Sequence, residues 1–233
     1  MNNIIALALT FAASLAFLRL MNFIAHRGWM DGKLSRKVIH IGTGPVFVSC
    51  WLLFNDAPSA RWLAALVPFA ITLRFALIGL GVIKDDASVK AMSRTGDPKE
   101  ILRGPLYYGI MFVVLTLVYW KDSPIGIIAL MMMCGGDGVA DIVGRMFASA
   151  KLPWSKEKSV AGTLGVFLGG WLMSAVIIYI FVAAGVFTAA FTSYLLPITG
   201  IAFAGALVES LHYKDIDNIS MTLASALVGH WFF

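Results

Sequence analysis

The stretch Gly135-Gly136-Asp137-Gly138-Val139-Ala140-Asp141-Ile142-Val143-Gly144-Arg145 places three charges at intervals of four in a segment that is otherwise apolar. Residues four apart share a helix face, so Asp137, Asp141 and Arg145 form one polar stripe. A carboxylate inside an apolar helix costs roughly 2.5–3.5 kcal/mol on insertion scales, and it is kept with a partner or a task. Paired hard oxygens suit Mg²⁺, which binds one or two carboxylates plus substrate phosphates. Asp137 and Asp141 are therefore the candidate metal ligands. The neighbouring glycines allow close backbone approach to a ligand. The plainer alternative is an Asp141–Arg145 ion pair that only fixes helix packing.

A second group follows in Trp154-Ser155-Lys156-Glu157-Lys158-Ser159-Val160-Ala161-Gly162-Thr163. Lys156 and Lys158 supply point charges and Ser159 and Thr163 hydroxyl donors. Gly162 lies at the start of a helix, whose first N–H groups attract anions. Together they suit a polyphosphate. The order of a Walker A loop is absent, and a basic loop of no special purpose is the competing explanation. Upstream, Arg36, Lys37 and His40 share a helix face, with spacing suited to holding phosphate or moving a proton. Arg103, before Gly104-Pro105-Leu106-Tyr107-Tyr108, sits at the positive end of a helix, where an anion is needed to offset it. Tyr107 and Tyr108 read as interfacial anchors. Glu209 lies inside an apolar run, followed by His212 and by Asp215-Ile216-Asp217-Asn218. His26 and His230 have no such company and read as structural.

These residues need a scaffold, and composition says which. Of 233 residues, 59% are hydrophobic and only 13% charged, and the mean hydropathy is +0.83. Soluble domains carry about 25% charged residues. Disordered, collagen-like, coiled-coil and disulfide-rich classes are excluded. Cys50 and Cys134 lie in apolar runs and read as small hydrophobes. The N-terminus lacks the basic start and cleavage site of a secretory signal, so the first apolar run is expected to remain as a helix. Apolar segments fall at about 4–25, 38–54, 61–83, 105–120, 124–147, 160–186, 190–212 and 219–233. The expected fold is all-α: a polytopic membrane protein of seven or eight transmembrane helices, forming a single domain over 1–233. The last segment is short for a crossing.

Charge sets the orientation. With the N-terminus outside, the inner loops hold Arg27, Lys33, Arg36, Lys37, Lys84, Lys90, Arg94, Lys99, Arg103, Arg145, Lys151, Lys156, Lys158 and Lys214. The outer loops hold Arg61 and Lys121, while Arg19 and Arg74 fall within spans. That asymmetry is the positive-inside pattern. It puts nearly every chemically capable residue on one face, expected to be the cytoplasmic face of a bacterial inner membrane. A transporter places polar groups near the midplane; this distribution instead suits an enzyme that takes a soluble substrate from the cytosol and an apolar one from the lipid. The net charge of +5 is spread along that inner face, and no nucleic-acid partner is expected. The sequence prescribes no oligomeric state.

In order, Arg36-Lys37-x-x-His40, Arg103-Gly104-Pro105-Leu106-Tyr107-Tyr108, Gly136-Asp137-Gly138-x-Ala140-Asp141-x-x-Gly144-Arg145, Lys158-Ser159-x-x-Gly162-Thr163 and Glu209 with Asp217-Asn218 resemble the phytol kinase branch of the polyprenol kinase family, which includes dolichol and farnesol kinases. The resemblance covers most of the chain. It implies phosphorylation of a long-chain isoprenoid alcohol, with CTP as phosphoryl donor and Mg²⁺ as the metal. In that scheme Asp137 and Asp141 hold Mg²⁺ on the triphosphate. Arg145, Lys156 and Lys158 neutralise phosphate oxygens, with Lys37, Arg103 and Asn218 also facing the nucleotide. Ser159, Gly162 and Thr163 donate hydrogen bonds, and Glu209 or Asp217 serves as base or second metal ligand, with His40 beside them. Two departures stand out: Ala148 where relatives often have glycine, and Asp215-Ile216-Asp217-Asn218 where relatives have adjacent acids. The second leaves Asp215 and Asp217 as alternatives. The rival functions are a cytidylyltransferase acting on phosphatidate and a small transporter.

Overall fold

A computed structural model describes residues 1–30, 32–93, 95–211 and 216–233; the side chains of Asn22, Ala25, His26, Gly32, Lys33 and Ala91 lie outside the description. Arg94, His212, Lys214 and Asp215 are outside the described residues, as are the side chains of Lys33 and His26.

The fold is all-α. The helices are α1 (Asn3–His26), α2 (Gly32–Ser49), α3 (Ala60–Gly79), α4 (Asp86–Met92), α5 (Gly104–Val118), α6 (Pro124–Met131), α7 (Gly138–Met146), α8 (Val160–Ala183), α9 (Phe191–Ser210) and α10 (Asp217–Gly229). A π-helical stretch, Met132–Asp137, joins α6 to α7 in one rod, and short 3₁₀ turns at Cys50–Leu53 and Pro98–Leu102 extend α2 and precede α5. The described sheet is one antiparallel hairpin, β1 (Lys151–Leu152) with β2 (Ser155–Ser159).

Each apolar segment of the sequence corresponds to a helical rod, and six are long and apolar enough to cross a membrane: Asn3–Met21, Ala60–Gly79, Pro98–Val118, Pro124–Met146, Val160–Ala183 and Phe191–Ser210. The other two bear on the site. Helix α2 carries Lys33, Arg36 and Lys37 in its first turns, and α10 has 13 residues, about 20 Å at 1.5 Å per residue. That is short of a hydrocarbon core about 30 Å thick.

The rod Pro124–Met146 is the centre of the bundle: 78% of its 18-residue apolar stretch is buried, against 17–44% for the corresponding stretches of the other five. Every residue from Pro124 to Met131 is buried, as expected of a helix that is apolar all round. Helix α8 packs along it through small residues, which let backbones approach closely in membrane proteins. A Cβ on Gly169 would lie 2.6 Å from the Gly135 carbonyl oxygen, and one on Gly135 would lie 2.8 Å from the Gly169 oxygen. A Cβ on Gly138 would collide with Ile41 of α2. These glycines thus serve helix–helix contact, not the approach of a ligand that their sequence context suggests. Gly169→Ala is expected to destabilise the protein by about 1–3 kcal/mol, the usual cost of overpacking, read as a lower unfolding temperature in detergent.

The two ends of the bundle differ as the charge pattern requires. At one end Asn3 donates to Asn55 (2.7 Å), Lys121 pairs with Asp56 (2.8 Å), Arg61 pairs with Asp122, and Tyr119 bonds His230 (2.9 Å). The other end gathers the basic residues. Arg74, within an apolar run, reaches that end and pairs with Asp85 at 2.6 Å.

Candidate active site

The site is built where the central rod meets the basic end of the bundle. The π-helical stretch ends on Asp137, and such bulges re-aim backbone groups and often mark functional positions. The Met133 carbonyl lies 3.1 Å from His40 Nε2. A carbonyl oxygen only accepts, so Nε2 carries a hydrogen. The same nitrogen lies 3.3 Å from Asp137 Oδ2.

Lys37, one turn before His40 on α2, places its ammonium 3.5 Å from Asp137 and 3.8 Å from Asp141. Asp141 also receives Arg145, with Nε at 3.1 Å and Nη2 at 3.0 Å. The Asp141–Arg145 pair exists, and the two carboxylates are also bracketed by one cation from another helix.

A second group stands beside the first. Lys158 on β2 pairs with Glu209 of α9 and, at 3.1 Å, with Asp217 of α10. The side chain of Glu209 is 5% exposed and that of Lys158 17%. Burial works against the Lys158 charge, but Glu209 and then Asp217 outweigh it and hold the ammonium above its ordinary value. The hairpin is secured at its turn, where the Trp154 indole N–H donates to Ser210 Oγ at 3.1 Å.

Both groups meet at a cavity of about 440 Å³, within the range of small-molecule sites. Its rim carries Arg36, Lys37, His40, Arg103, Asp137, Asp217 and Asn218. Its interior is mainly apolar, lined by Phe17, Val46, Phe47, Ile71, Phe75 and Phe112, with Ser14, Thr43 and Thr72 among them. One end is thus wet and charged and the other suits a hydrocarbon. Of the second group only Asp217 lines it; Lys158 and Glu209 stand behind that carboxylate, as Asp141 stands behind Asp137.

The expectations for α8 are only partly met. Its first amides are already taken: Val160 N–H donates to the Ala150 carbonyl (3.0 Å), Ala161 to Ser149 Oγ (3.0 Å) and Gly162 to Ser159 Oγ (3.2 Å). The helix start is closed by the chain itself, so Gly162 and Ser159 form a cap instead of a phosphate cradle. Gly162 also touches α7, since a Cβ on Gly144 would lie 3.4 Å from its Cα. Thr163 Oγ1 is buried with no hydrogen-bond partner among the described residues and does not line the cavity. Lys156 is exposed on the hairpin.

Tyr108 also departs from its expected place at the interface. Its ring lies 4.4 Å from that of His40, and its hydroxyl donates to the His40 carbonyl (2.7 Å) and contacts Cys134 Sγ (3.1 Å). Nothing in its local sequence signals that role.

Comparison with known proteins bears on what this arrangement is for. The chain is 41% identical over 224 residues to a rice (Oryza sativa subsp. japonica) protein named probable phytol kinase 1, chloroplastic, covering 95% of this chain and 71% of the relative. It is 42% identical over 230 residues to a wheat (Triticum aestivum) probable phytol kinase, covering 98% and 77%. With the farnesol kinase of Arabidopsis thaliana it shares 41% over 235 residues, covering 100% and 76%. The chain belongs to the phytol and farnesol kinase family. No protein-family model matches it, and no solved structure does. All three relatives are named chloroplastic. Family membership makes it an alcohol kinase and separates it from the transporter and cytidylyltransferase alternatives.

Proposed function

We propose that this protein phosphorylates an isoprenoid alcohol of the phytol, farnesol or geranylgeraniol type, using CTP, at the basic face of the membrane. The observation that carries the reading is the cavity itself, whose charged rim opens on an apolar interior. The alcohol's tail fills the interior and its hydroxyl stands among Asp137, Asp217 and His40 at the rim. The donor's phosphates lie against Lys37, Arg36, Arg103 and Lys158, with Arg145 further out.

Phosphoryl transfer depends on positioning and charge neutralisation more than on covalent participation by the protein. The alcohol oxygen forms a bond to the terminal phosphorus as the bond to the bridging oxygen breaks, releasing the nucleoside diphosphate. Asp217 lines the cavity and is placed to take the hydroxyl proton. Glu209, behind Lys158, positions that lysine. Among the described residues no group of three or more His, Cys, Asp and Glu side chains gathers as a metal cage. Magnesium with a triphosphate needs only one or two carboxylates, and Asp137 and Asp141, already bracketing one cation in Lys37, fit that requirement. When bound there, the ion offsets phosphate charge.

CTP as donor rests on the family resemblance. The orientation, with the site on the cytosolic side, rests on the charge asymmetry of the loops. The deciding experiment incubates purified protein with γ-labelled CTP, ATP, GTP or UTP and with phytol, farnesol, geranylgeraniol or diacylglycerol. The expected result is label in an isoprenyl monophosphate, strongest with CTP, together with CDP. A CDP-lipid with pyrophosphate would overturn the reading.

A further inference from the structure

The cavity has a floor. Along α2 its lining runs from Arg36 to Phe47, which at 1.5 Å per residue gives a depth of about 16 Å. That is about half of a 30 Å hydrocarbon core, the share of one lipid leaflet. On α3 and α5 the lining ends at Val67 and Phe112.

Phe47 and Phe112 close the bottom with rings 5.7 Å apart at 63°. They are 2% and 3% exposed. Trp51, fully buried, backs Phe47 at 6.0 Å and packs in turn on Trp120 at 4.9 Å. The end of the cavity is therefore a packed aromatic wall. An open apolar groove discriminates weakly between neighbouring chain lengths, but a wall must be displaced by any tail that overruns it, and well-packed interiors resist added methylenes.

We infer that Phe47 and Phe112 form a length stop, so that the protein selects alcohols whose tail spans about one leaflet and excludes long polyprenols. The inference rests on the proposed kinase reading, which supplies the occupant. A fifteen-carbon tail fits above the stop extended and a twenty-carbon tail fits bent, whereas a thirty-carbon tail overruns it.

The test compares geranylgeraniol with the thirty-carbon hexaprenol in the unaltered protein and in Phe112→Leu and Phe47→Leu. The unaltered protein is expected to favour geranylgeraniol strongly in kcat/KM. Each leucine variant should raise the hexaprenol-to-geranylgeraniol ratio about tenfold, the lower end of what a changed hydrophobic pocket achieves, with the KM for nucleotide unchanged. Val67→Phe, which raises the floor, should shift preference towards farnesol. This variant keeps the test open if a leucine variant fails to fold. Equal use of both alcohols by the unaltered protein, or a ratio that stays within twofold in folded variants, would overturn the length stop. If no isoprenoid alcohol is phosphorylated at all, the kinase reading fails on its own. The stop is then judged by native mass spectrometry of nanodisc-embedded protein: selective retention of geranylgeraniol over hexaprenol, lost in Phe112→Leu, supports it, and equal retention overturns it.

Discussion

Replacing Asp137 with asparagine is expected to lower kcat about a thousandfold, the upper range for removing one preorganised electrostatic contact. Asparagine keeps the shape and loses the charge, and Lys37 still has Asp141 at 3.8 Å, so the protein should still fold and insert. The size of the effect follows from position. Asp137 lines the cavity, lies 3.3 Å from His40 and 3.5 Å from Lys37, and is the carboxylate at which the metal, the terminal phosphate and the alcohol would meet. Asp141→Asn should also nearly abolish turnover, because a two-carboxylate site loses half of its anionic ligands. Arg145→Ala should act weakly, since its side chain is 56% exposed and lies beyond Asp141. The measurement is initial-rate phosphorylation of geranylgeraniol, with elution of the purified protein as a single species for a folding control. Activity of Asp137→Asn within threefold of the unaltered protein would remove the metal and phosphate roles from this carboxylate.

Much of this was legible in the sequence because it is local. An apolar run long enough to span a membrane can hardly be anything but a helix, and a four-residue spacing puts Asp137, Asp141 and Arg145 on one stripe whatever surrounds them. The imbalance of Lys and Arg between loops likewise predicts which ends gather. What the sequence leaves out is what opposes each face. Lys158 and Glu209 are 51 residues apart, Tyr108 and His40 68 apart, and no local pattern pairs them. The glycines around Asp137 show the same limit. Their sequence signals close approach, but only the packed structure shows that the approaching group is another helix. The sequence does not show that the amides at the start of α8 are taken, because two of the acceptors, Ser149 and Ala150, are brought back to the helix by the hairpin between them. The cavity is the least legible feature, since its lining is drawn from α1, α2, α3, α5 and α10 together.

Lys158→Ala is expected to have two effects, and a second substitution separates them. The first is on stability: removing one partner of a buried pair leaves an uncompensated charge and costs about 3–5 kcal/mol. Here the orphaned groups are Glu209, 5% exposed, and Asp217, 23% exposed, two carboxylates drawn together by the same lysine. Because folding raises the Lys158 pKa above its ordinary value of 10.5, the stabilisation is fully present below that value. It is lost only as pH rises through the higher value of the folded protein, so thermal stability should show no Lys158-dependent change across the neutral range. The second effect is on nucleotide binding. An ammonium has three donors, enough to serve Glu209, Asp217 and one phosphate oxygen, and hydrogen bonds to charged groups contribute about 1.5–3 kcal/mol each. The KM for nucleotide should therefore rise at least tenfold. Lys158→Met combined with Glu209→Leu replaces the main ion pair by apolar contact, a change that is often neutral in stability. This double variant is expected to regain much of the lost unfolding temperature while its nucleotide KM stays high. Recovery of both together would mean that Lys158 only props up the hairpin; recovery of stability alone would place its ammonium on the donor's phosphates.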